Sequence, residues 1–124
     1  MTRPFLPLAA LALAACATVP LATASPTAAF GQVAAVDGVR VRPLAVIEDS
    51  RCPSAVQCVW AGRVRLLAQV SLDRRDAAMQ RDLILGEPVA VFGGTLTLIA
   101  VEPPKLAPGT TDPRAYRFTF RFVR

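Results

Sequence analysis

Three sulfurs carry most of the reactive chemistry in this chain, and their surroundings set them apart. Cys16 follows Leu13-Ala14-Ala15, which closes an apolar run of Phe5, Leu6, Leu8, Leu11 and Leu13 among alanines, begun after Arg3. A charged start, a short apolar stretch and small residues before a cysteine form a secretory leader of the bacterial lipoprotein type. The expected chemistry is a diacylglycerol thioether on the Cys16 sulfur, cleavage before it, and acylation of the new amino terminus. Residues 1–15 are then the leader, and Cys16 anchors the protein to a membrane. The leader is too short to cross a bilayer, which takes about 20 apolar positions. Two or more acyl chains hold a protein stably, because each buried CH₂ contributes about 0.8 kcal/mol. An ordinary leader cut after Ala22 or Ala24 is the competing outcome, and it would release the protein from the membrane. Ala17 stands where an aspartate would retain a lipoprotein in the inner membrane. The expected location is therefore the outer membrane, facing the periplasm.

With Cys16 acylated, Cys52 and Cys58 are the remaining thiols. An exported chain folds in an oxidising compartment, so these two are expected to pair. Pro53-Ser54 can turn the chain between them. Closing so small a ring restricts the unfolded chain by about 2.4 kcal/mol in the loop-entropy account. The rival is a redox pair. Redox enzymes use Cys-x-x-Cys with a lowered thiol pKa, and a longer spacer without a histidine does not supply that.

The chain contains no histidine. That absence removes the commonest general base and the commonest metal ligand together, so His-dependent hydrolysis and zinc or copper centres are excluded. Glu48 and Asp49 could mimic the paired carboxylates of glycoside cleavage, but neighbours on a strand point to opposite faces. Lys105 is the only lysine, and it lies in a proline loop with no serine motif around it. No catalytic residue, metal or cofactor is assigned, and a non-enzyme is expected.

Charge offers more. The full chain is +5, and loss of Arg3 leaves thirteen basic against nine acidic side chains, or +4. Such a balance suits anionic surfaces, and no nucleic-acid-binding signature is present. Arg40, Arg42, Arg63, Arg65, Arg117 and Arg121 fall on outward positions of three expected strands. If those strands are neighbours, they line up as one basic face that pairs bidentately with phosphate or carboxylate. The candidate binding residues are Arg51, Trp60, Arg63, Arg65, Arg117 and Arg121. Candidate partners are anionic lipid, lipopolysaccharide, peptidoglycan or an envelope protein. The expected role is a non-catalytic binding or structural module presenting this basic face to anionic envelope components. An accessory subunit that engages a protein partner through its loops is the alternative.

The elements that must hold these side chains are strands. Residues 16–30, rich in Ala, Thr and Pro, read as the lipidated cysteine and a tether with a reach of about 20 Å. The folded domain is placed at residues 31–124. Asp37-Gly38 between alternating apolar runs predicts a type I′ hairpin, and Pro43 predicts an edge or a bulge. Over Gly62–Asp73, Val64, Leu66, Ala68, Val70 and Leu72 fall on one face and Arg63, Arg65, Gln69, Ser71 and Asp73 on the other, a period of two. A shorter strand follows over Met79–Leu85, with a single helical turn conceivable over Arg74–Gln80. Gly93-Gly94 predicts a hairpin, and Pro103-Pro104 ends its second strand. Tyr116, Phe118, Phe120 and Phe122 share one face of the last strand, Arg114–Val123. About seven short strands predict an antiparallel β-sandwich, immunoglobulin-like, with a small barrel as the alternative.

Trp60 directly follows the cysteine loop. Packing in the core against the disulfide, as in immunoglobulin-type sandwiches, is the expected placement. An exposed ring for a sugar face or a membrane interface is the functional alternative. Asp49 and Ser50 are expected to form an Asx-type turn, with Arg51 reaching a neighbouring carboxylate. The string Asp49-Ser50-Arg51-Cys52-Pro53 followed by Cys58-Val59-Trp60-Ala61-Gly62 resembles a group of small exported bacterial proteins and lipoproteins of uncharacterised function. The resemblance extends from about Ala35 to the final strand. It implies a compact β domain with a disulfide-closed loop, and it brings no activity.

Overall fold

The computed structural model describes residues 24–73 and 77–124, with positions 1, 2, 4 and 15 besides. Cys16 and nearly all of the leader lie outside the described residues. Eight strands form two antiparallel sheets of four. They are β1 (Thr27–Ala28), β2 (Ala34–Val36), β3 (Val39–Asp49), β4 (Val64–Leu72), β5 (Ala78–Ile84), β6 (Pro88–Val91), β7 (Gly94–Glu102) and β8 (Arg117–Val123). One sheet has the order β2-β3-β4-β5 and the other β1-β8-β7-β6. The sandwich expected from the period-two patterns is present.

Its core follows from those patterns. Val39, Val41, Val64, Leu66, Ala68 and Val70 of one sheet face Leu96, Leu98, Phe118, Phe120 and Phe122 of the other, and all are buried. Fully burying side chains of this size stabilises a fold by about 1.5–3 kcal/mol each. Phe118 stacks on Tyr116 with ring centroids 5.4 Å apart and meets Phe30 edge-on at 5.2 Å.

Four local expectations are met or refined. Asp37 and Gly38 both take positive φ, at 45° and 84°, as a type I′ turn requires. In the β6–β7 hairpin the turn residues are Phe92 and Gly93, at φ 48° and 74°, and Gly94 begins the strand. Gly94 is needed there for space: a Cβ would lie 2.5 Å from the Phe122 ring. Pro43 is buried at a register shift between β3 and β4, where Leu44 is the extra residue, and a second shift leaves Ile47 unpaired. Such bulges bend a strand. Ala78–Gln80, placed at the end of a conceivable helical turn, lie in β5.

The tether expected over residues 16–30 gives way to the sandwich earlier than residue 31. Thr27 and Ala28 pair with Thr119 and Phe118, Ala28 is buried, and Phe30 packs on the aromatic cluster. The reason is that the β8 edge would otherwise carry unpaired backbone groups, and β1 satisfies them. No apolar alternation announces so short a strand.

Candidate functional site

One end of the sandwich carries the cysteine loop after β3, the proline loop after β7 and the β5–β6 turn. The opposite end carries the tight hairpin turns. Cys52 and Cys58 are disulfide-bonded, as expected, with Cα atoms 5.8 Å apart. The bridged loop is stitched to the proline loop by two backbone bonds, Ser54 N–H to Lys105 O at 2.9 Å and Ala55 N–H to Leu106 O at 3.0 Å.

A polar knot reinforces that seam. Arg51 donates both Nε and Nη2 to the Asp49 carboxylate at 2.9 Å each, and Nη1 reaches Pro103 O at 3.1 Å. Tyr116 donates its hydroxyl to Asp49 Oδ2 at 2.6 Å, and Lys105 Nζ donates to the Asp49 carbonyl at 3.2 Å. Arg51 and Asp49 side chains are only 15% and 10% exposed. The Arg51 guanidinium, helped by the Tyr116 hydroxyl, holds the Asp49 carboxyl down at about 2, against a burial penalty that works the other way. Burial, and then the Asp49 hydrogen bond, push the Tyr116 hydroxyl up. Glu48 points to the opposite face, where Arg63 pairs with it at 2.8 Å and Ser50 donates to it at 3.0 Å. Arg63 and Ser50 hold the Glu48 carboxyl below its usual value. The two adjacent carboxylates therefore face apart, as strand geometry dictates, and each is committed to an arginine.

Behind the knot lies a cavity of about 640 Å³. Phe30, Tyr116 and the bulged Leu44 give it apolar walls, and Lys105, Thr110 and Thr111 bring polar groups to it. The sequence motif pointed to Arg51 reaching a neighbouring carboxylate, which is that of Asp49. It gave no sign of Phe30, Leu44 or Tyr116 as neighbours, because they come from three separate segments.

Trp60 corrects the core expectation. Its side chain is 81% exposed and Val59 is 89% exposed, beside the Glu48–Arg63 pair in an open groove. The physical reason is the path of the bridged loop. Gly62, at φ 68°, returns the chain against Ser50, where a Cβ would collide with the Ser50 carbonyl, and Cys52 N–H bonds to Ala61 O at 3.1 Å. This pairing carries residues 53–60 out beyond the sheet, so the disulfide closes a protruding loop and does not span the core.

The single basic face is also corrected. Arg40, Arg42, Arg63 and Arg65 belong to the β2–β5 sheet or its margin, whereas Arg117 and Arg121 lie on β8 in the other sheet. Their outward side chains therefore point away on opposite sides of the sandwich. Arg63 is neutralised by Glu48, and Arg65 Nε lies 3.2 Å from Asp82 Oδ2, off the angle of a hydrogen bond but close enough for charge pairing. Arg117 turns Nη1 to the carbonyls of Arg114 and Tyr116. Arg51, offered as a binding residue, spends its donors inside the knot. Among known proteins, no family model, no curated sequence and no solved structure matches this chain.

Proposed function

We propose that this protein is a non-catalytic envelope lipoprotein, anchored through Cys16, whose loop end engages a protein partner as an accessory subunit does. The observation that carries this reading is the exposed Val59-Trp60 pair on a loop held by a disulfide and an ion-pair knot. Large apolar side chains held rigid in water favour association, because little conformational freedom remains to be lost on binding. Val56 and Leu106, 42% and 64% exposed, extend the apolar surface on the two stitched loops. The cavity beside Lys105 would accept an apolar side chain of the partner. A non-catalytic role is supported by the commitment of Glu48 and Asp49 to arginines and by a chain without histidine.

Orientation favours a protein over the anchoring membrane as the occupant. β1 runs toward the loop end, so the described domain begins on the other side of the sandwich, and an anchor at Cys16 on that side would leave the loops facing the periplasm. The experiment has two readouts on the full chain in its own membrane. Mass spectrometry of Cys16 should find attached acyl chains. A photo-crosslinker at position 60 should give one discrete protein adduct that Val59→Ser weakens and that high salt leaves unchanged. Crosslinking to lipid alone, or an unacylated Cys16, would overturn the reading.

A further inference from the structure

We propose that Arg40 and Arg42 form a binding site for the phosphate group of a membrane phospholipid, separate from the loop end. Both side chains project outward from β3, two residues apart, and both are exposed. Directly across the ladder stand Ser71, opposite Arg40, and Gln69, opposite Arg42. These four side chains and Val33 enclose a hollow of about 110 Å³ on the sheet surface. With about 30 Å³ as the share of one water in the liquid, that is room for roughly three or four waters or one tetrahedral oxyanion.

The surrounding charges set this pair apart from the four ion-paired arginines; Arg81, Arg117, Arg121 and Arg124 form no ion pair among the described residues either, but they do not line this hollow. Arg63 and Arg65 in the same sheet each face a carboxylate, and Arg51 and Arg114 do so elsewhere. Among the described residues no carboxylate lies within ion-pair distance of Arg40 or Arg42. Two guanidinium forks, an amide and a hydroxyl, with no carboxylate in ion-pair reach among the described residues, match an oxyanion better than a cation.

The path of the chain points to a lipid as the source of the phosphate. Ser25 O accepts the Ala35 N–H at 2.8 Å, and Ala35 is the ladder partner of Arg40. Ser25, at the start of the described domain, therefore stands one strand away from the hollow. A chain anchored at Cys16 holds phospholipid head groups near this face at high effective concentration. Only this choice of source rests on the anchor; the affinity of the hollow for phosphate does not.

The test uses the full chain carrying Cys16→Ser, so that no acyl group confounds the result. Its probes are inorganic phosphate and two kinds of vesicle, phosphatidylcholine alone and phosphatidylcholine with phosphatidylglycerol. The protein should sediment with the phosphatidylglycerol vesicles at 10 mM salt and release at 150 mM, as the Debye length shrinks from about 30 to about 8 Å. Arg40→Gln with Arg42→Gln should weaken this binding about tenfold, whereas Arg63→Gln with Arg65→Gln should change it less than about twofold. Unchanged urea midpoints for the first pair show that the fold is intact. Equal losses in both pairs, or binding of neither phosphate nor vesicles at low salt, would reject the site. Phosphate binding without vesicle binding would reject the lipid as its source. Failure here leaves the crosslink at position 60 untouched, so the two proposals stand or fall separately.

Discussion

Replacing Arg51 with glutamine should uncouple the knot in a way that reads out with pH. The guanidinium makes two 2.9 Å contacts to Asp49 and closes on the Pro103 carbonyl, with both side chains largely shielded from water. The Asp49 carboxyl sits at about 2 against an ordinary 3.8. At about 1.36 kcal/mol per unit, that difference corresponds to roughly 2.4 kcal/mol, and solvent on the loop side reduces it to about 1–2 kcal/mol. Because the folded-state value is depressed, this stability is present above the unfolded value near 4 and is lost as pH falls through about 2. Urea unfolding of the disulfide-intact chain at pH 7 should show Arg51→Gln destabilised by about 2 kcal/mol. At pH 2 the penalty should fall to less than half of that. A double-mutant cycle with Asp49→Asn should return a coupling of about 1–2 kcal/mol at pH 7 and much less at pH 2. A penalty equal at both pH values would refute the ion pair as its cause, and a coupling near zero would show the contacts to be incidental.

Other perturbations test the frame around the knot. Gly62→Ala puts a methyl group into the Ser50 carbonyl at a positive φ, so it should cost more than about 2 kcal/mol, seen as a lower urea midpoint, and should loosen the loop. A chain beginning at residue 31 loses β1 and the Phe30 ring from the aromatic cluster. It should melt well below one beginning at residue 24, by about 10 °C or more for a loss of roughly 2–3 kcal/mol. Trp60 is the only tryptophan, so its fluorescence reports one site: emission should match a water-exposed indole, and acrylamide should quench it nearly as well as free tryptophan. A blue-shifted, protected signal would return Trp60 to the core.

Several elements were legible in the chain because their signals are local. The alternation through Val64–Val70 and Tyr116–Phe122 depends only on the pleat, which sends successive side chains to opposite faces, and both runs are buried as that rule predicts. Asp37-Gly38 carries its turn in its own φ preferences, and Pro43 brings its bulge by lacking a donor. The Asp49–Arg51 pair was also within reach, since the two residues are near neighbours in sequence. Phe92 in a left-handed turn position was not, because Gly93-Gly94 offers two registers and only the crowding of Gly94 against Phe122 selects one.

What the residues determined alone is a histidine-free chain of alternating strands, two hairpin turns and a short cysteine ring, for each rests on neighbours in sequence. Tertiary structure alone decided which strands share a sheet, and with that the fate of the charges. β8 lies across the core from β3 and β4, so six arginines that looked like one face became two, and carboxylates brought in by β3 and β5 neutralised Arg63 and Arg65. It also decided that Trp60 faces water, because the pairing of Cys52 with Ala61 directs the loop outward before the ring can turn in. Which partner an outward side chain meets is a property of elements distant in sequence, and no local period encodes it.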